Sequence, residues 1–173
     1  MNAVIIYDDR KLAGDVNAML EWAAGHAGGA GSWRVRPWRL DLLAQPRAAE
    51  AALGEAAEAH FIVLALRSQA EPPAELLEWL ETWAGRRHVR DAAVALFDGG
   101  AGYTQPGPAT ARLSAFADRH GLSFILGDAG PAGQESEAFA RRLREREAAE
   151  LAALAPSFTG AFPAYGRHWG INE

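Results

Sequence analysis

Short stretches that are apolar at every position alternate along this chain with longer stretches that are apolar on one side only. Val4-Ile5-Ile6-Tyr7 is the first of the short ones, and reads as a strand buried on both faces. Val16, Met19, Leu20 and Ala23 follow at i, i+3, i+4 and i+7, the spacing of one helix face. The run GHAGGAG, residues 25–31, ends that helix. Its glycines follow a helix rather than a strand, so they do not form a dinucleotide-binding fingerprint. Residues 32–43, SWRVRPWRLDLL, predict a second strand. Pro37 cannot donate to a ladder, which places that strand at an edge or a bulge. Residues 46–59 are Ala-rich with few large apolar groups and predict a well-exposed helix. Phe61-Ile62-Val63-Leu64-Ala65-Leu66 is the strongest strand and is expected at the centre of the sheet.

Pro72-Pro73 suits a helix start, where a missing N–H costs little. The helix that follows sets Leu76, Leu77, Leu80 and Trp83 on one side. Residues 92–97, AAVALF, predict a fourth strand, and residues 109–120 a helix with Gly121 at the position after its end, where positive φ is common. LSFIL, residues 122–126, is the fifth strand. Residues 135–154 predict a long helix with Phe139, Leu143 and Leu151 inward and Arg/Glu pairs outward. A strand-helix unit repeated five times implies a parallel sheet with helices on both faces. The expected order is 2-1-3-4-5, with any site at the carboxyl ends of strands one, three and four. Those ends read Asp8-Asp9, Arg67-Ser68-Gln69 and Asp98-Gly99-Gly100.

Residues 59–83, AHFIVLALRSQAEPPAELLEWLETW, and the later AAVALFDGG with a helix ending HGL resemble the flavodoxin-like family, in its NAD(P)H-dependent FMN reductase and quinone reductase branch. The resemblance runs from about Val4 to about Asp128. It implies a flavodoxin-like three-layer α/β/α fold with a five-stranded parallel sheet. It also implies FMN as the cofactor to consider, with Arg10, Lys11, Arg67, Ser68, Gly99, Gly100 and Tyr103 as the residues that would meet it if it binds. The departures bear on that cofactor. Relatives cradle the phosphate in a Ser/Thr-rich loop after the first strand, at a helix N-terminus. Here that stretch reads Asp8-Asp9-Arg10-Lys11-Leu12-Ala13-Gly14, without a hydroxyl. Two carboxylates beside a phosphate dianion would repel it by roughly 1–4 kcal/mol per close pair. Arg10 and Lys11 offset this only if they turn inward. After the third strand the family places Pro-x-Tyr/Phe and Gly, where this chain has Arg67-Ser68-Gln69-Ala70-Glu71. No cofactor is therefore expected, with FMN as the alternative.

Composition narrows the remaining classes. A net charge of −5 offers no basic field for nucleic acid. The chain has no cysteine, which excludes disulfides, thiolate metal sites and Cys nucleophiles. No basic segment followed by an apolar one stands at the N-terminus, and no apolar run approaches the ~20 residues of a membrane span, so a cytoplasmic protein without membrane contact is expected. Asp8, Asp9 and Asp98 could face a hard cation, but solvated acids at strand ends explain them as well, and no metal site is assigned. A phosphoacceptor domain of the receiver type would need an Asp ending strand three and a Lys ending strand five. Leu66-Arg67 and Gly127-Asp128 stand there instead. The five histidines show no metal spacing, and no Ser sits on a G-x-S-x-G turn.

The last stretch, SFTGAFPAYGRHWGINE, is aromatic and broken by Gly and Pro. It is unlike a regular helix and too apolar for an ordinary exposed tail. Either it covers the chain's own surface or it docks on a partner, with Phe162, Tyr165 and Trp169 as the contact residues. The expectation is thus a flavodoxin-like domain over residues 1–155 and an aromatic extension over 156–173. It would be cofactor-degenerate and act through protein contacts, as a homodimer or with another protein. The alternative is an FMN-dependent NAD(P)H oxidoreductase.

Overall fold

In the computed structural model the chain is described at residues 1–26, 33–67, 71–98 and 107–128, with positions 143, 145 and 148. The elements run β1 (Asn2–Tyr7), α1 (Arg10–His26), β2 (Arg34–Arg39), a 3-10 turn (Leu40–Ala44), α2 (Pro46–Ala56), β3 (Phe61–Leu66), α3 (Ala74–Arg86), β4 (Ala93–Asp98), α4 (Pro108–His120) and β5 (Ser123–Asp128). The strands form one parallel sheet in the order β2-β1-β3-β4-β5, as the alternation predicted. β3 is central and β2, with Pro37, is an edge. The missing N–H of Pro37 costs least there.

Alternation along the strands sorts the core into two faces. Val4, Ile6, Ile62, Leu64, Val94 and Leu96 pack under α2, α3 and α4. Ala3, Ile5, Tyr7, Val63, Ala65, Ala95 and Phe97 pack under α1 and Leu143. The first face is the more aromatic. Trp83 is fully buried and its indole N–H donates to the Ala56 carbonyl at 2.9 Å. Trp79 donates to Ala49 O at 3.1 Å, and Trp38 to the Glu55 carboxylate at 2.9 Å. Each buried indole removes about 150–250 Å² from water, on the order of 4–6 kcal/mol before entropy costs, and its polar tip is satisfied.

Three local readings change. The second strand stops at Arg39, and Leu40–Ala44 turns over the sheet with Leu42 and Leu43 buried. α2 is shorter than residues 46–59 and is not simply exposed: Ala48, Ala52, Leu53 and Ala56 are buried, because small side chains let α2 approach α3 closely. Trp79 lies inward beside Leu76, Leu80 and Trp83, while Leu77 is only partly buried. The end of α4 is as expected. Gly121 has φ 63°, and Leu122 N–H reaches back to Ala117 O at 2.9 Å. Among the described residues no helix is long and apolar enough to cross a membrane. The division at residue 155 and the contact residues Phe162, Tyr165 and Trp169 lie outside the described residues. So does the helix expected over 135–154, apart from positions 143, 145 and 148, which are helical.

Candidate functional site

The carboxyl end of β1 is much tighter than a loop over residues 8–14 would be. Only Asp8 and Asp9 separate β1 from α1, which begins at Arg10. Asp9 is the N-cap: its Oδ1 accepts the Leu12 N–H at 2.9 Å, and its carbonyl accepts the Ala13 N–H at 3.0 Å. An Asp there satisfies an orphan donor and places negative charge at the positive end of the helix, together about 1 kcal/mol or somewhat more. An acid three residues before Leu12 fits a helix start, yet the residue types of 8–14 predict a loop, and the helix begins at Arg10 instead.

Asp8 faces the neighbouring strand. β1 and β3 run side by side with Tyr7 opposite Ala65, so the residue after each strand end meets its counterpart. The Arg67 N–H donates to both Asp8 oxygens, at 2.9 and 3.1 Å, and the Asp8 N–H donates to Ala65 O at 3.3 Å. The Arg67 guanidinium turns to the other acid, with Nε 3.1 Å from Asp9 Oδ2. Its side chain is largely exposed, so the ion pair contributes no more than about 1 kcal/mol. The outcome is a small polar knot in which one arginine joins both acids.

A cavity of about 790 Å³ opens beside this knot, between the ends of β1 and β2 and the start of α3. Asp8, Asp9, Arg10, Lys11, Arg39, Asp41 and Glu75 supply the charge of its wall. The cations are largely engaged. Lys11 Nζ pairs with the buried Asp15 at 3.0 Å, one turn along α1. Arg39 grips Asp41 with two donors, Nε to Oδ1 at 2.8 Å and Nη2 to Oδ2. The hydrogen bond and charge of Arg39 hold the Asp41 carboxyl below its usual range, although burial pulls the other way.

Of the residues expected to meet FMN, Arg10 and Lys11 come together on this wall, and Arg67 joins the knot without lining the cavity. Ser68, Gly99, Gly100 and Tyr103 lie outside the described residues. No three His, Cys, Asp or Glu side chains converge as for a metal ion among the described residues. The residues present do not fit a flavin phosphate at the start of α1. The Leu12 N–H is already given to Asp9, and the carboxylates of Asp8 and Asp9 stand at that end of the helix, where they repel a phosphate. Sequence reasoning missed Asp41 and its clamp by Arg39, because a two-residue spacing around a strand end has no periodic signature.

The parallel order β2-β1-β3-β4-β5, with α1 on one face and α2, α3 and α4 on the other, decides the architecture. The fold is flavodoxin-like. No protein-family model and no curated protein matches the chain. Among solved structures it is similar to the Trp repressor binding protein from Bacillus subtilis, at 13% identity and a TM-score of 0.46, covering 80% of this chain and 96% of that one. It is also similar to a metal-soaked flavodiiron core from Synechocystis sp. PCC6803, at 16% identity and a TM-score of 0.44, covering 84% of this chain and 36% of that one. The chain therefore spans about a third of the second protein's length. At that distance the likenesses add nothing to what the sheet order already gives.

Proposed function

We propose that this flavodoxin-like chain is a cofactor-degenerate module that acts through protein contacts. The observation that carries the reading is the pair Asp9 Oδ1 to Leu12 N–H and Asp8 to Arg67 N–H. The chain's own carboxylates stand where a flavin-binding relative would place an anion, so the site is filled from within. The aromatic extension supplies the contact surface in this reading, with Phe162, Tyr165 and Trp169 facing a partner protein or a second copy. Cytoplasmic location belongs to the same proposal.

The alternative is an FMN-dependent NAD(P)H oxidoreductase. In its favour stand the cavity, whose 790 Å³ falls in the range of ligand sites, and the presence of Arg10 and Lys11 on its wall. It requires FMN to bind away from the start of α1, or both acids to give up their partners. The deciding measurement is the visible spectrum of purified protein soaked in FMN and then desalted. The expected outcome is a colourless protein. A retained flavin band would overturn the contact-module reading and make reductase activity the next assay. Removing residues 157–173 is expected to change the assembly state in light scattering, and an unchanged state would remove the extension from the proposal.

A further inference from the structure

The two edges of the sheet are built in opposite ways. β2 carries Arg34, Arg36 and Arg39, and Pro37 breaks its line of donors. Charge and proline are the devices by which sheets refuse a further strand. β5 reads Ser-Phe-Ile-Leu-Gly-Asp, with neither charge nor proline between Ser123 and Gly127. Ile125 is 41% exposed and Leu126 38%, and apart from Met1 and Trp22 no other described large apolar side chain is this open. Among the described residues no strand lies outside β5. Its outer N–H and C=O groups are therefore bordered by apolar side chains that gain from burial.

We propose that β5 is a self-pairing edge, along which two copies of this chain join antiparallel about a two-fold axis through Ile125. A second copy is the occupant because an antiparallel edge matches its own reverse: donors and acceptors alternate in the same order from either end. Centring the axis on Ile125 sets Ile125 against its counterpart on the α1 face, where β4 offers Ala95 beside it. Phe124 then meets Leu126 of the second copy on the α4 face, and Ser123 meets Gly127, a pairing with no steric conflict. The acidic positions do not oppose one another. The two Asp128 sites fall about 20 Å apart at ~3.3 Å per residue, beyond a Debye length at physiological salt. β2 suits such pairing less, because it carries three arginines and Pro37 withholds a donor from the edge. One pair of six-residue strands is a small interface, so the dimer dissociates on dilution.

Sedimentation equilibrium of the full chain over a wide concentration range tests this. The mass is expected to rise from one chain toward two, and Ile125→Lys is expected to hold it at one, since it sets two like charges on residues directly opposite each other, with Cβ atoms ~5 Å apart. Circular dichroism checks that the variant is folded. A second measurement does not depend on tolerating a lysine. The chain has no cysteine, so Ile125→Cys under mild oxidation reports self-contact directly. It is expected to cross-link on the order of tenfold faster than Arg36→Cys on the β2 edge, because pairing raises the effective thiol concentration. A single-chain mass at every concentration overturns the proposal, as does equal cross-linking of the two variants. A dimer lost on removing residues 157–173 but untouched by Ile125→Lys assigns assembly to the extension and also overturns it. The flavin spectrum bears on neither outcome, so this surface and the cofactor-degenerate reading fail separately.

Discussion

On the α2–α3 face of the sheet, Trp38, Trp79 and Trp83 close a broad apolar layer, and each indole N–H finds an acceptor in the same layer. At the carboxyl end of β1, Asp8, Asp9 and Arg67 close a turn with almost no apolar contact. Both regions are fully hydrogen-bonded where the bonds can be followed, but the energies differ. Large burial holds the first, and its hydrogen bonds mainly prevent a penalty. Short polar contacts near water hold the second, and each contributes about 1 kcal/mol or less. Large burial on the α2–α3 face contributes far more to stability than the polar turn, so the end of β1 can change its chemistry at little cost to the fold.

The largest test of this contrast is Trp83→Ala. It should cost about 3–5 kcal/mol in denaturant unfolding, through lost burial and a cavity that the close α2–α3 contact cannot collapse into. A loss under ~1 kcal/mol would move the centre of stability elsewhere. Gly127→Ala probes the α1 face. A methyl built at Gly127 would run into the Phe97 ring, itself buried between β4 and its neighbours, so about 1–3 kcal/mol of destabilisation is expected in the same assay. A neutral result would mean that the Phe97 ring moves freely aside. Asp9→Ala should cost about 1 kcal/mol, and Asp9→Ser should restore most of it, because Ser caps the Leu12 N–H without carrying charge. If Ser were as damaging as Ala, the pair with Arg67 would outweigh the cap.

The smallest effect expected is a pH dependence. The folded Asp41 carboxyl titrates below its free value because Arg39 holds the charged form. Its contribution is present above the free value of 3.8 and is lost as the pH falls through the lowered folded value. Asp41→Asn should flatten the acid limb of stability in urea unfolding carried out from mildly acidic pH down through that window. An unchanged acid limb would show that the clasp with Arg39 does not persist in solution.

Most of the architecture followed from local pattern. The five apolar runs and their alternation with amphipathic stretches required a parallel sheet. Pro37 put β2 at an edge, and Gly121 ended α4 with positive φ. These features depend on periodicity and on the backbone preferences of single residues, so they can be read in a window of a few positions. The site could not be read in that way. DDRKLAG has the residue types of an open charged loop, yet Arg10 already belongs to a helix and Asp9 caps it. Asp8 finds its donor 59 residues along the chain, because the β1–β3 register brings Arg67 beside it. Trp79 turns inward because α2 offers the Ala49 carbonyl at the right height. Pattern along the chain determined which stretches are strands, which are helices, and that the sheet is parallel. Only the tertiary structure decided which acid meets which donor, since a polar partner depends on what a neighbouring strand or helix sets within about 3 Å, a distance over which sequence separation has no meaning.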